Sequence, residues 1–216
     1  MAPPPPPTSS VRGTRGAVAA ADQSATLAGI RILAAGGNAV DAAIATNAVM
    51  AVVGPHLCGM GGDLFALVST PDGVVALNAS GRAGSSASAD ALRADGFDAM
   101  PFRHDIRTVT VPGCVDGWAA LHARFGSMPL ADLLAPAIEL ATNGFAASPL
   151  LAGAVRLLDA DGAAALAALG VVTRTGARIT LPGVARTLGA IADRGRDGFY
   201  GGEFGAGLLE IGCGWY

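Results

Sequence analysis

The feature that most constrains this chain is a change of period between residues 38 and 82. From Asn38 onward Val40, Ile44, Ala48 and Ala51 recur at helical spacing, and alanine fills most of the other sides. A helix of that kind has no polar face to offer water, so other elements must enclose it, and its small side chains let them come close. Gly54-Pro55 ends it. A glycine-rich turn follows, His56-Leu57-Cys58-Gly59-Met60-Gly61-Gly62-Asp63, and then the period becomes that of strands. Residues 64–70 and 74–78 are two β-rich runs joined by Pro71-Asp72-Gly73, which supplies the backbone angles of a tight hairpin turn. Arg82 stands just beyond, on a loop of small residues.

Elsewhere the pattern is mainly helical. The apolar run of residues 16–21 predicts a short buried strand, and Asp22 or Ser24 caps the helix that follows. In that helix Leu27, Ile30 and Leu33 share one face, and Gly36-Gly37 stops it. Further helices are predicted over residues 89–94, over 113–125 as far as Gly126, and over 130–142 as far as Asn143-Gly144. Helical pieces continue over 149–169 and 182–193. No repeat of fixed period is present, which argues against solenoids and propellers. Ser85-Ser86-Ala87-Ser88 reads as a surface loop between the hairpin and the helical part.

Length allows one or two domains at 216 residues, and a composition 51% hydrophobic and only 14% charged supports a packed core. All 14 cations are arginine, scattered against 17 acids, so no basic stripe exists for a nucleic acid to follow. The longest apolar run, residues 42–53, is shorter than the roughly 20 residues of a membrane span. Residues 1–14 read as a disordered proline-rich leader without the apolar core of a signal peptide, which makes the cytoplasm the expected compartment. Cys58, Cys114 and Cys213 are odd in number and widely spaced, as expected of free thiols in a reducing compartment.

Several motifs invite a functional reading that their context weakens. Gly59-Met60-Gly61-Gly62 follows a helix and enters a strand, the reverse of a dinucleotide fingerprint, so it reads as a close backbone approach. His56, Cys58 and Asp63 lack a fourth metal ligand, and the expectation is a hydrogen-bonded histidine and a buried thiol. No metal or cofactor is expected. His104 and His122 are isolated and read as surface or capping residues. The serines lack a nucleophile elbow or a local base, and Asn78-Ala79-Ser80 is a glycosylation acceptor by pattern alone. Arg82 differs from these. Its planar fork of donors can grip a carboxylate bidentately, a charge-assisted interaction contributing about 1.5–3 kcal/mol.

Gly36-Gly37-Asn38-Ala39-Val40-Asp41-Ala42-Ala43, the 55–65 segment and Arg82 together resemble the gamma-glutamyltranspeptidase family. So do Val111-Pro112-Gly113-Cys114-Val115-Asp116-Gly117-Trp118, Leu134-Ala135-Pro136-Ala137-Ile138-Glu139-Leu140-Ala141 and Gly198-Phe199-Tyr200-Gly201-Gly202-Glu203, all in the family's order. The resemblance implies an α+β fold, the four-layer αββα sandwich of N-terminal-nucleophile hydrolases, incomplete in this chain, with residues 15–216 as a large-subunit portion. It implies a self-cutting precursor whose small subunit begins with a threonine nucleophile. No catalytic residue is expected in this chain, Thr173, Thr175 and Thr180 not matching the nucleophile motif, and Arg82 is expected to hold the alpha-carboxylate of a gamma-glutamyl substrate such as glutathione. Ala83-Gly84-Ser85-Ser86 departs from the Glu-x-Ala-Pro that usually follows this arginine, which opens the alternative of an amidase for another acyl amide. A non-catalytic fragment or an anion-binding remnant is the remaining alternative.

Overall fold

The computed structural model describes residues 12–101, 105–171 and 174–216. Helix α1 (Gln23–Ala34) starts where Asp22, and not Ser24, caps it: the Asp22 carboxylate accepts the Ser24 N–H at 2.7 Å. Helix α2 (Ala39–Val53) opens on a reciprocal capping box between Asn38 and Asp41. It is buried on most sides, as its alanine-rich pattern requires, with α1 packed along it.

The face shared by Leu27, Ile30 and Leu33 is buried only in part, at Leu33, which packs on the core. Ala25, Ala28, Gly29 and Ile32 form its buried stripe, whereas Leu27 and Ile30 are 43% and 47% exposed. Close approach explains the choice, because a Cβ at Gly29 would collide with the Thr46 hydroxyl and come within 3.2 Å of the Ala42 carbonyl oxygen. At that separation only a small-residue stripe fits, and side-chain size overrides hydrophobicity. Residues 16–21 are also corrected: they form no strand, since no ladder partner lies beside them among the described residues.

Strands β1 (Leu64–Thr70) and β2 (Gly73–Ala79) pair antiparallel, with Leu64 opposite Ala79 and Thr70 opposite Gly73. Leu64, Ala66, Val68 and Leu77 pack on the core; Phe65, Leu67 and Val74 on the other face are 63%, 77% and 68% exposed. Helix α3 (Ala89–Ala94) falls where expected, and so do α4 (Cys114–Phe125) and α5 (Leu130–Asn143). The expected 149–169 stretch divides into α6 (Pro149–Val155) and α7 (Ala160–Ala168), the second capped by Asp159. A two-residue ladder joins β3 (Phe145–Ala146) to β4 (Arg178–Ile179), and α8 (Pro182–Arg194), α9 (Arg196–Tyr200) and α10 (Glu203–Ile211) follow.

The core gathers α1, α2, α4, α5 and α8 around Trp118, which is fully buried. The Trp118 indole N–H donates to the Asn47 Oδ1 at 2.8 Å, tying α4 to α2. Asp41 is fully buried; it accepts the N–H of Asn38, the cap of its own helix, at 2.9 Å, and ties α2 to the α4–α5 loop through the Ser127 N–H at 3.0 Å and the Ser127 hydroxyl. Burial opposes ionisation of that carboxyl, but the Ser127 hydroxyl and the N–H groups of Asn38, Ser127 and Met128 outweigh it and hold the group below the usual carboxylate range. Among the described residues no helix is long and apolar enough to cross a membrane. The proline-rich segment lies outside the described residues but for residues 12–14, which are exposed.

Candidate functional site

Arg82 stands where the chain leaves β2. Gly81 precedes it with φ of 81°, and a Cβ there would strike the Val111 carbonyl oxygen, so the loop closes on residues 110–113 only with glycine at this position. Arg82 itself forms an isolated antiparallel bridge with Val111, whose N–H donates to the Arg82 carbonyl at 2.8 Å. The next turn is held just as closely, because a Cβ at Gly113 would collide with the Ala79 carbonyl oxygen.

These approaches shape a cleft of about 790 Å³ lined by Arg82, Ser80, Asp116, Arg196, Tyr200 and Tyr216, among others. Arg196 Nε donates to Asp116 Oδ1 at 2.6 Å, and its guanidinium lies 4.6 Å from the centre of the Tyr200 ring. The Asp116 hydrogen bond raises the Arg196 pKa, so this cation stays charged. Tyr200 donates its hydroxyl to the Pro112 carbonyl at 2.6 Å and accepts the Asp116 N–H at 3.2 Å; burial pushes its pKa up. Asp116 and Arg196 neutralise each other. The exposed Arg82 guanidinium has no hydrogen-bond or ion-pair partner among the described residues, and it is the uncompensated charge of the cleft. Chemically, the cleft presents one unpaired guanidinium able to receive an anion, and among the described residues no activated nucleophile lines it.

The other expected site residues are placed as follows. His56 is corrected: both ring nitrogens are shut off from solvent and neither has a hydrogen-bond partner among the described residues. The N–H groups beside it close on the Gly54 carbonyl instead, Leu57 at 2.8 Å and Cys58 at 3.3 Å. Gly59 and Gly61 are corrected as well, since a Cβ at either would meet nothing within 4 Å. The close contact falls at Gly62, whose carbonyl accepts the N–H groups of Gly113 at 2.9 Å and Cys114 at 3.0 Å.

Cys58 is half-buried and burial pushes its thiol up; Cys114 is buried, and burial, with Cys58 and Asp63 nearby, pushes its thiol up to about 12. Neither is an activated thiol. All three cysteines are free, and no cluster of three metal-ligating side chains occurs among the described residues. His122 lies at 2.8 Å from the Met128 carbonyl through Nε2 and tethers the α4–α5 loop. Thr175 and Thr180 are exposed, while His104 and Thr173 lie outside the described residues. Sequence reasoning missed Asp116, Arg196, Tyr200 and Tyr216 as neighbours of Arg82. The packing of α9 on α4 brings Asp116, Arg196 and Tyr200 there and the reversal after α10 brings Tyr216, and no local pattern signals either contact.

A mixed helix-and-sheet scaffold presenting a lone arginine beside a glycine-built turn narrows the class, and comparison with known proteins assigns it. The pattern of the gamma-glutamyltranspeptidase family matches residues 25–211, and the chain belongs to that family. It is 38% identical over 206 residues to the glutathione hydrolase-like YwrD proenzyme of Bacillus subtilis, covering 90% of this chain and 38% of that protein. To the acylase ACY 1 proenzyme of a Pseudomonas species it is 35% identical over 213 residues, covering 92% of this chain and 38% of the relative. The crystal structure of Helicobacter pylori gamma-glutamyltranspeptidase superposes with a TM-score of 0.82 at 27% identity, covering 95% of this chain and 61% of that one. The chain thus spans little more than a third of the length of these curated relatives.

Proposed function

We propose that this chain forms most of the large-subunit half of a self-processed threonine-nucleophile enzyme that hydrolyses or transfers gamma-glutamyl amides of the glutathione type. Arg82 is its substrate anchor. The observation that carries this reading is the uncompensated guanidinium at the cleft, held in place by the Gly81 turn and the bridge to Val111. The family membership supplies the chemistry, and proenzyme names among the relatives support self-processing.

In this reading the threonine hydroxyl of the partner subunit attacks the gamma-amide carbonyl while the threonine's own alpha-amine takes the proton. The tetrahedral intermediate expels the amine, and water or an amino acid then resolves the acyl-enzyme. Arg82 contributes by fixing the alpha-carboxylate, which sets the distance and direction of the gamma-carbonyl from the nucleophile. Its present exposure gives the partner a role too. A covering subunit excludes water and strengthens the ion pair.

Two features support completion into a four-layer αββα sandwich. Residues 15–21 and β1 line a cleft of about 770 Å³, and the hairpin turns Phe65, Leu67 and Val74 outward. Both suit further strands laid between and upon them. A second reading, an amidase for a different acyl amide, draws on Ala83-Gly84-Ser85-Ser86 after the arginine: Gly84 is buried against Trp215, and no acidic residue stands next to Arg82.

The test is to purify the product of the native locus, measure the intact mass of every chain, sequence the start of any second chain, and assay a gamma-glutamyl anilide. The expected result is a second chain beginning with threonine, with turnover whose kcat/KM falls about 10- to 150-fold in Arg82→Ala. Arg82→Lys restores only part of it, because an ammonium lacks the fork. A single inactive species near 21.3 kDa would leave a non-catalytic fragment or an anion-binding remnant. Turnover of other acyl amides but not gamma-glutamyl ones would select the second reading.

A further inference from the structure

Residues 212–216 do something that none of the family motifs accounts for. After α10 the chain reverses through two left-handed residues, Cys213 at φ 46° and Gly214 at φ 85°. A non-glycine residue in that region carries a conformational cost of roughly 1 kcal/mol, and such a residue persists where surrounding contacts fix it. The contacts are visible. The reversal lays the Tyr216 ring against Gly212, and the Trp215 N–H donates to the Gly212 carbonyl at 2.8 Å.

Two further bonds reach both sides of the Arg82 bridge. On one side the Ser86 N–H donates to the Trp215 carbonyl at 3.2 Å, and Gly84 packs so tightly on Trp215 that a Cβ would collide with its carbonyl oxygen. On the other side the Tyr216 hydroxyl lies 2.8 Å from the Val109 carbonyl and 3.1 Å from that of Ile106, spanning the single 3-10 turn of residues 106–108. One anchor point lies two to four residues after Arg82 and the other two to five residues before Val111, so the two arms that meet in the bridge are each held.

We propose that residues 212–216 form a brace that sets the position of Arg82, with Tyr216 as a positioning residue. The proposal rests on the reading of Arg82 as a carboxylate anchor. The brace joins α10 to both segments that form the bridge, and Tyr216 also lines the cleft on which Arg82 opens. Without the brace, the hydrogen bonds that join the Arg82 loop to residues 105–113 among the described residues are the Val111 bond and the weak 3.4 Å contact from the Thr110 hydroxyl to the Ser80 carbonyl.

The test uses the 216-residue chain and its Tyr216→Phe, Trp215→Ala and Cys213→Gly variants. Hydrogen exchange of the Val111 amide, which donates to Arg82, is measured beside that of α2 amides, and L-glutamate is titrated calorimetrically at low salt. Tyr216→Phe and Trp215→Ala are expected to speed Val111 exchange about tenfold with α2 unchanged, each having lost roughly one net hydrogen bond or its equivalent in packing. Cys213→Gly keeps the reversal, relieves its strain and leaves Val111 exchange at the parent rate. Glutamate affinity falls several-fold in Tyr216→Phe but not further when Arg82→Ala is already present, a non-additivity that a merely structural tyrosine would not show. Unchanged Val111 exchange in both brace variants, or equal losses of affinity with and without Arg82, overturns the proposal. If the parent chain fails to bind glutamate, the anchor reading falls by itself and the exchange measurement still decides the brace.

Discussion

Replacing Asp41 by alanine removes the acceptor for four donors at once: the Asn38 N–H, the Ser127 N–H and hydroxyl, and, more weakly at 3.5 Å, the Met128 N–H. Each buried donor left unpaired costs about 1–3 kcal/mol, partly recovered where the α4–α5 loop shifts to admit water, so the expected loss is about 3–5 kcal/mol. With a urea m-value of about 2 kcal/mol/M for a chain of this size, the midpoint drops by about 2 M at unchanged m. Asp41→Asn retains the shape and one carbonyl acceptor and loses roughly half as much. pH supplies a second readout with a definite sign. The native carboxyl is held below its unfolded value, so its contribution is complete above about pH 4 and is lost as pH falls through the native pKa. Wild type therefore loses stability in that acid range more steeply than Asp41→Asn, which has no proton to bind there. A midpoint shift under 0.5 M in Asp41→Ala, on the order of 1 kcal/mol, would refute the claim that this carboxylate secures the α2 to α4–α5 junction.

Thr46 is buried with its hydroxyl unpaired among the described residues, so Thr46→Val, which removes the orphan at nearly constant volume, is expected to raise stability by about 1 kcal/mol in the same denaturation assay. Thiol labelling near pH 8 should modify exposed Cys213 first, half-buried Cys58 slowly and Cys114 only on unfolding, as followed by mass spectrometry. Gly113→Ala forces a Cβ into the Ala79 carbonyl and should cost about 2–4 kcal/mol while displacing the 110–113 segment; a silent substitution would show that this close approach does not hold the cleft together.

Legibility in the sequence follows from range. The starts of α1 and α2, the hairpin and the ends of α4 and α5 were readable because glycine, proline and short polar side chains act within a few residues. The buried face of α1 was not, because its small-residue stripe has meaning only once Thr46 and Ala42 lie opposite Gly29. The 16–21 strand misled because an apolar run specifies burial, whereas a strand also needs a neighbour to complete its hydrogen bonds. In the candidate site, Arg82 stood out by its place after the glycine-rich turn and the hairpin, yet its surroundings did not. Asp116 and Arg196 are 80 residues apart in sequence and meet only through α4 and α9.

The hairpin's uncovered side also bears on how such a chain survives its own synthesis. Among the described residues β1 and β2 each have no strand partner on one edge, and Phe65, Leu67 and Val74 stand exposed on one face of the pair. Covering by a tethered or already bound segment is first order, while edge-to-edge pairing between copies grows with the square of concentration. If the proposed completion of the sandwich supplies that cover, expression level is expected to decide whether the hairpin ends covered or in an aggregate, with lower expression favouring cover.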